Sequence, residues 1–218
     1  MLYVLEEIFK TKRAQNSEQL NLRVQRSLSW LKKAISMDDD LDLQFVSLSV
    51  AFNAIYTGNE LSTNDASAQN TVFLEYLYKL DDEQRISQVI WGKARQSIEV
   101  LLAYPYASKE YWDYKNHKIS KVQWMQKNIA DKQFISHILN VKDSKQVLTL
   151  LFLRLFALKQ QMLDGGSNYN SMANRLHMRE SCVILQALIP TFIYIIIAYG
   201  HEGSPPAHRS TYPPYPPP

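Results

Sequence analysis

The chain has 218 residues, 46% of them apolar and 21% charged, and a net charge of +3. That length suits one domain with a buried core, or at most two small ones. The mild charge, with no dense basic run, leaves out the electrostatic footprint of a dedicated nucleic-acid binder. Cys182 is the single cysteine, which excludes an intrachain disulfide and a cysteine metal cluster. It reads as a small apolar residue on a buried helix face.

The N-terminal stretch Met1 to Glu7 lacks a basic region followed by an apolar block, so no secretory signal is expected and a reducing cytoplasm is the default. Seven of the nine prolines follow residue 204 and glycine is rare, so the body contains few helix breakers. Leu20, Val24, Leu28, Leu31 and Ile35 share one face of a first helix, and Arg23, Arg26, Lys32 and Lys33 take other positions. Asp38-Asp39-Asp40 then supplies a cap and negative charge for a helix from Leu41 to Tyr56, stopped at Gly58. Within it Asn53 is a lone polar residue that needs a partner if buried.

The polar stretch Asn59 to Asn70 reads as a loop. Thr71 to Leu80 and Asp82 to Ala103 read as two helices, the second opened by an Asp-Asp-Glu start and ended by Pro105. Residues 106 to 120, rich in aromatics and charge, read as an irregular crossing. Helices follow at Lys121 to Leu139 and Lys142 to Leu163, then a loop from Asp164 to Ala173 and a last helix from Asn174 to about Tyr199. No region alternates with period two, so the predicted class is all-α. Residues 1–199 form its one domain. Val183 to Tyr199 is nearly all apolar, slightly shorter than the ~20 residues a bilayer core requires. A buried core helix explains it, and a membrane anchor is the alternative. Residues 200–218, with Tyr212-Pro213-Pro214-Tyr215-Pro216-Pro217-Pro218, favour extended polyproline geometry. They read as a disordered extension or as a ligand for an aromatic-lined peptide groove.

The segment Lys159-Gln160-Gln161-Met162-Leu163-Asp164-Gly165-Gly166, followed by Asn168, Asn170, Ser171, Asn174 and Arg175, resembles the signature of the HEPN family (higher eukaryotes and prokaryotes nucleotide-binding). In that family an Arg stands five positions before a His, and in one bacterial branch two glycines follow. Here Lys159 takes the place of the Arg and Asp164 that of the His. Arg26-Ser27-Leu28-Ser29-Trp30-Leu31-Lys32-Lys33-Ala34 is similar to the first helix of the Apea-like bacterial branch. Asp42 to Phe45 and Ala51 to Tyr56 resemble its second helix. Ile90-Trp91, Leu101-Leu102 and Tyr111 to Tyr114 fit its middle section. Leu151 to Leu158 leads into the signature, and Asn174-Arg175, Ile184-Leu185 and Pro190 to Ile193 fit the closing helix.

This resemblance implies a bundle of about four core helices with additions, and a homodimer. It implies descent from metal-independent endoribonucleases of toxin–antitoxin and antiviral defence systems. In active members two Arg–His pairs meet in one cleft, with no metal or other cofactor. Cutting RNA this way needs a base for the 2′-hydroxyl, an acid for the leaving oxygen and cations for the phosphorane. A His serves near neutrality. An Asp, with an unperturbed pKa of about 3.9, is a weak base, cannot act as the acid, and repels the phosphate.

Lys159 keeps positive charge but lacks the planar fork that grips a phosphate. The expected protein is therefore a degenerate, dimeric binding or regulatory module. The alternative is an active, divergent ribonuclease in which His177, Arg175 and Lys159 share the work. Without chemistry, Asp164-Gly165-Gly166 simply ends a helix, and His177 is an exposed surface residue. Arg154 is a paired interior charge or a second cation near the cleft. Arg154, Arg175 and Arg179 are the expected phosphate contacts. His117, His137 and His208 have no triad-like or metal-like spacing.

Overall fold

The computed structural model describes residues 2–56 and 66–200. The proline-rich segment and the Gly58 stop lie outside them. The described residues form ten α-helices and two short 3-10 turns and contain no strand, as the absence of period-two alternation predicts.

Helix α1 (Leu2–Lys12) was not anticipated from spacing; it buries Leu5 and Phe9, one turn apart. Helix α2 (Glu18–Ile35) starts where the Ser17 hydroxyl accepts the Leu20 N–H at 3.2 Å. Val24, Leu28 and Leu31 are buried as expected, but Ile35, in the last turn, is exposed. Helix α3 (Leu41–Ile55) starts at Asp40, whose carboxylate accepts the Leu43 N–H at 3.0 Å. Asn53 is exposed and is free to bond water.

Three polar rungs join α2 to α3. The Arg23 guanidinium donates to the Ile55 carbonyl. Ser27 Oγ donates to the Ala51 carbonyl at 2.7 Å, and Gln44 Nε2 to the Ala34 carbonyl at 3.0 Å. Positions 23, 27 and 34 thus meet 55, 51 and 44, which sets an antiparallel register. Arg23 is therefore not on the solvated face; burial lowers its pKa to about 10.

Helix α4 (Ala66–Leu80) begins five residues earlier than Thr71, so residues 66–70 of the expected loop are helical. The helix expected from Asp82 to Ala103 is two: α5 (Arg85–Trp91) and α6 (Arg95–Leu102). Asp81 caps α5 with both oxygens, accepting Arg85 N–H at 2.9 Å and Ile86 N–H at 2.7 Å. The break falls at Gly92, where an added Cβ would lie 2.6 Å from the Gln88 carbonyl oxygen. The expected irregular crossing is partly ordered as a 3-10 turn (Pro105–Ala107) and α7 (Lys109–Lys115), capped by Ser108.

Helix α8 (Lys121–Asn140) opens with a reciprocal Ser120–Gln123 capping box. Helix α9 (Ser144–Leu163) opens at Asp143, and α10 (Arg175–Tyr199) follows a second 3-10 turn (Met172–Asn174). By length and composition alone, Met172–Tyr199 is apolar enough to cross a membrane. In the structure α10 is instead surrounded by α1, α2, α3, α4, α5 and α6, and Ile184, Leu188, Ile189, Phe192, Ile193, Ile195 and Ile197 lose all contact with water. A helix enclosed on most sides has no need of a polar face. Phe52 of α3, Phe73 of α4, Phe152 of α9 and Phe192 of α10 meet at its centre, with Phe52 and Phe152 centroids 4.7 Å apart.

Replacing Gly92 by Ala forces its methyl against backbone. We expect Gly92→Ala to lower unfolding free energy by about 1–3 kcal/mol, measured by urea denaturation; an unchanged midpoint would show that the α5–α6 break does not depend on the missing Cβ.

Candidate functional site

The segment resembling the family signature is the C-terminus of α9 and the turn beyond it. Asp164 is the C-cap and Gly165 takes φ +74°, a left-handed conformation that glycine adopts without a Cβ penalty. The Gly165 N–H donates to the Met162 carbonyl at 3.2 Å and the Gly166 N–H to the Gln161 carbonyl at 2.8 Å. These are the two bonds of a Schellman motif, which satisfies carbonyls left over at a helix end. Asp164-Gly165-Gly166 thus has a complete structural explanation of its own.

The Asp164 carboxylate is exposed, with Gln160 Nε2 3.4 Å from each of its oxygens. Lys159 lies five residues back, about 140° around the helix. Its ammonium sits 4.7 Å from the Phe156 ring centroid, and burial lowers its pKa. Lys159 and Asp164 form no ion pair.

Asp164 borders a groove of about 950 Å³ between α7, α8, α9 and the Pro105–Ala107 turn. Gln160, Gln161 and Arg154 of α9 share this wall. Arg154 is only 3% exposed and pairs with Asp131 of α8. Of the two readings of Arg154, the interior pair is the one observed. The groove wall carries four cations (Lys109, Lys118, Lys127 and Arg154) against four carboxylates (Glu110, Asp113, Asp131 and Asp164). Lys159, Arg175, His177 and Arg179 are not part of that wall.

Arg175 lies instead in a second cluster. Its guanidinium donates to Asp42 Oδ2 at 2.8 Å and to Asn170 Oδ1 at 2.7 Å, while the Asn170 N–H donates to the same Asp42 oxygen at 3.1 Å. Tyr169 OH donates to Asp40 Oδ2 at 2.6 Å; this bond and the Leu43 N–H hold the Asp40 carboxyl below its usual range. The loop after α9 is thereby tied to the N-terminus of α3. Arg175 anchors a loop and is not free for a phosphate. Arg179 is exposed on α10.

His177 forms a third locus. Its ring stacks on Tyr104, centroids 3.3 Å apart and planes 13° from parallel, so it is not an exposed surface residue. Tyr104 OH donates to Asn174 Oδ1 at 2.7 Å. His177 Nδ1 is buried without a hydrogen-bond partner. Burial lowers its pKa, opposed in part by Glu180. The candidate residues therefore occupy several sites within this chain and do not converge on one. Among the described residues no three His, Cys, Asp or Glu side chains gather as a metal site. Burial pushes the Cys182 thiol up to about 12.

Sequence reasoning passed over Asp42, Asp131, Trp112 and Trp124 as site residues. Asp42 stood in the sequence only as part of the stretch Asp42 to Phe45 that resembles a family helix, and no local spacing links Asp131 to Arg154. Compared with protein-family models, characterised proteins and solved structures, the chain matches none.

If the glycine turn is structural, Gly165→Ala will cost about 1 kcal/mol through backbone conformation alone, since an added Cβ meets nothing within 4 Å. Asp164→Ala will stay within about 0.5 kcal/mol of the parent. Equal effects in urea denaturation would contradict that division. For His177, the unfolded chain takes up its proton near pH 6.5 and the fold only at lower pH. Between those values the unfolded state binds more protons, so stability rises with pH. The contribution is present above about pH 6.5 and is lost as pH falls through the folded value. The drop in urea midpoint from pH 7 to pH 5 will be smaller in His177→Phe than in the parent; equal drops would assign the pH dependence elsewhere.

Proposed function

We propose that the chain is a catalytically degenerate relative of the HEPN ribonucleases, acting in the cytoplasm as a homodimeric binding or regulatory module of a defence or toxin–antitoxin system. The observation that carries this reading is Asp164. An open carboxylate capping α9 occupies the position where the resemblance calls for an acid–base histidine, and its frame partner Lys159 is laid against Phe156.

The surroundings support the same reading. Opposite charges balance along the groove beside Asp164, so it offers little net attraction to a polyanion. Arg175, which a divergent enzyme would need, is held by Asp42 and Asn170. For subunit contact, support comes from Leu163, Tyr169, Met172 and Leu176, large apolar residues left exposed in and around the signature loop.

Incubation of the purified protein with mixed RNAs, without metal, is expected to yield no cleavage above a buffer control, and sedimentation equilibrium is expected to yield a dimer. Cutting that leaves 2′,3′-cyclic phosphate ends and disappears in His177→Ala would replace this reading with the active divergent ribonuclease.

A further inference from the structure

The groove between α7, α8 and α9 leaves large apolar side chains open to water. Phe134 of α8 and Leu153 of α9 line it and are 41% and 42% exposed. Each stands beside one member of the Arg154–Asp131 pair. Phe134 follows Asp131 by about one turn of α8, and Leu153 immediately precedes Arg154 on α9. Trp112, Trp124 and Phe156 belong to the same wall. The volume of about 950 Å³ falls within the range of small-molecule pockets, roughly 300–1,000 Å³.

The ion pair presents this groove with one donor and one acceptor. Arg154 Nη2 donates to Asp131 Oδ2, and Arg154 Nε is shut inside the wall. Nη1 differs from both. Among the described residues it has no hydrogen-bond partner, and it is not one of the unpaired atoms shut from water. The 3% of Arg154 that stays open therefore includes Nη1, on a side chain that lines the groove. Asp131 is part-exposed and lines the groove too, and its Oδ1 is likewise unpaired and open among the described residues.

A donor and an acceptor on one ion pair select the head group of a ligand. A carboxylate meets the Arg154 N–H but faces the Asp131 oxygen. An ammonium meets Asp131 but faces the guanidinium. A neutral carboxamide satisfies both, its C=O accepting from Nη1 and its N–H donating to Oδ1. It also gives up less hydration than an ion does on leaving water. Open Phe134 and Leu153 call for an apolar body on the same molecule, and the rings of Trp112, Trp124 and Phe156 favour an aromatic one.

We propose that this groove is a binding site for a small neutral aromatic carboxamide, its amide held on the open edge of the Arg154–Asp131 pair and its ring covering Phe134 and Leu153. The ion pair stays intact on binding, so the ligand adds two hydrogen bonds without separating buried charges. The proposal does not depend on descent from a ribonuclease.

The test uses the full chain labelled with 15N, whose four tryptophans each supply one indole N–H signal, assigned with single Trp→Phe variants. Trp112 and Trp124 line the groove and report an aromatic ring seated beside them, whereas Trp30 and Trp91 lie off its wall. The probe is 4-ethylbenzamide, with 4-ethylbenzoate and 4-ethylbenzylamine as charged counterparts of the same size. The amide is expected to move the Trp112 and Trp124 signals saturably, with a Kd of about 1 mM, and to leave Trp30 and Trp91 in place. Both ions are expected to bind at least about tenfold more weakly. Apolar replacement of the pair, Asp131→Leu with Arg154→Met, is a change that folds often tolerate, and it is expected to erase the preference for the amide. Phe134→Ser leaves the pair in place and is expected to weaken the amide about tenfold; it carries the test if the double variant does not fold. No saturable shift of Trp112 and Trp124 up to about 10 mM amide, or equal movement of all four signals, overturns the site. An ion that binds as tightly as the amide, a preference that survives in the double variant, or an unchanged Kd in Phe134→Ser overturns the assigned ligand.

Discussion

A helix that is apolar around most of its circumference must be enclosed, and that requirement organises this protein. Helix α10 cannot turn a polar face to water because it has almost none between Val183 and Tyr199. Six helices close around it, and aromatic contacts from Phe52 of α3 and Phe152 of α9 reach its Phe192. Pro190 sits buried within it and leaves the Gln186 carbonyl without its helical donor. A neighbouring hydroxyl, Thr191 Oγ1, bonds back to the Ala187 carbonyl at 3.1 Å. The N-terminal turn, where Arg175, His177 and Arg179 lie, is the polar part of the helix. Its contacts to Asp42 and Tyr104 position the start of α10 against α3 and the turn before α7.

The signature-like segment bears on this packing more than on chemistry. Helix α9 must stop at Leu163 so that the chain can return and enter α10. A Schellman turn at Gly165 makes the stop, and Tyr169, Asn170 and Arg175 fasten the returning loop to Asp40 and Asp42. Glycines and asparagines at these positions are thus required by left-handed backbone and by the anchoring bonds. Asn170, at φ +56°, meets both requirements. A frame of this kind persists without a catalytic residue at position 164, because the Asp164 side chain meets only Gln160 of its own helix and takes no part in the turn or the loop anchor.

Helical class, most helix spans and the buried faces of α2 and α10 were legible, since each rests on periodicity within one segment. Where the reading failed, the cause was contact between segments or a single residue overriding a pattern. Apolar spacing continues from Ile86 to Leu102, but the absent Cβ at Gly92 permits a chain break that periodicity cannot register. Arg23 falls among cations off the apolar face of α2, and only the Ile55 carbonyl, 32 residues away, shows that it is drawn inward. His177 stands beside two arginines in sequence, yet its ring is claimed by Tyr104, and no local spacing encodes that stack. Arg154 was left open between two roles because its partner Asp131 lies on another helix.

The Arg154–Asp131 pair also explains how the groove holds its shape. Removing an arginine from water is costly unless a carboxylate and further acceptors compensate. Asp131 compensates in part, while Nε remains unmet. Helices α8 and α9 are thus held together by a bond that leaves one donor of the same side chain unsatisfied. Four cations against four carboxylates along the same wall leave it little net attraction for a phosphate backbone.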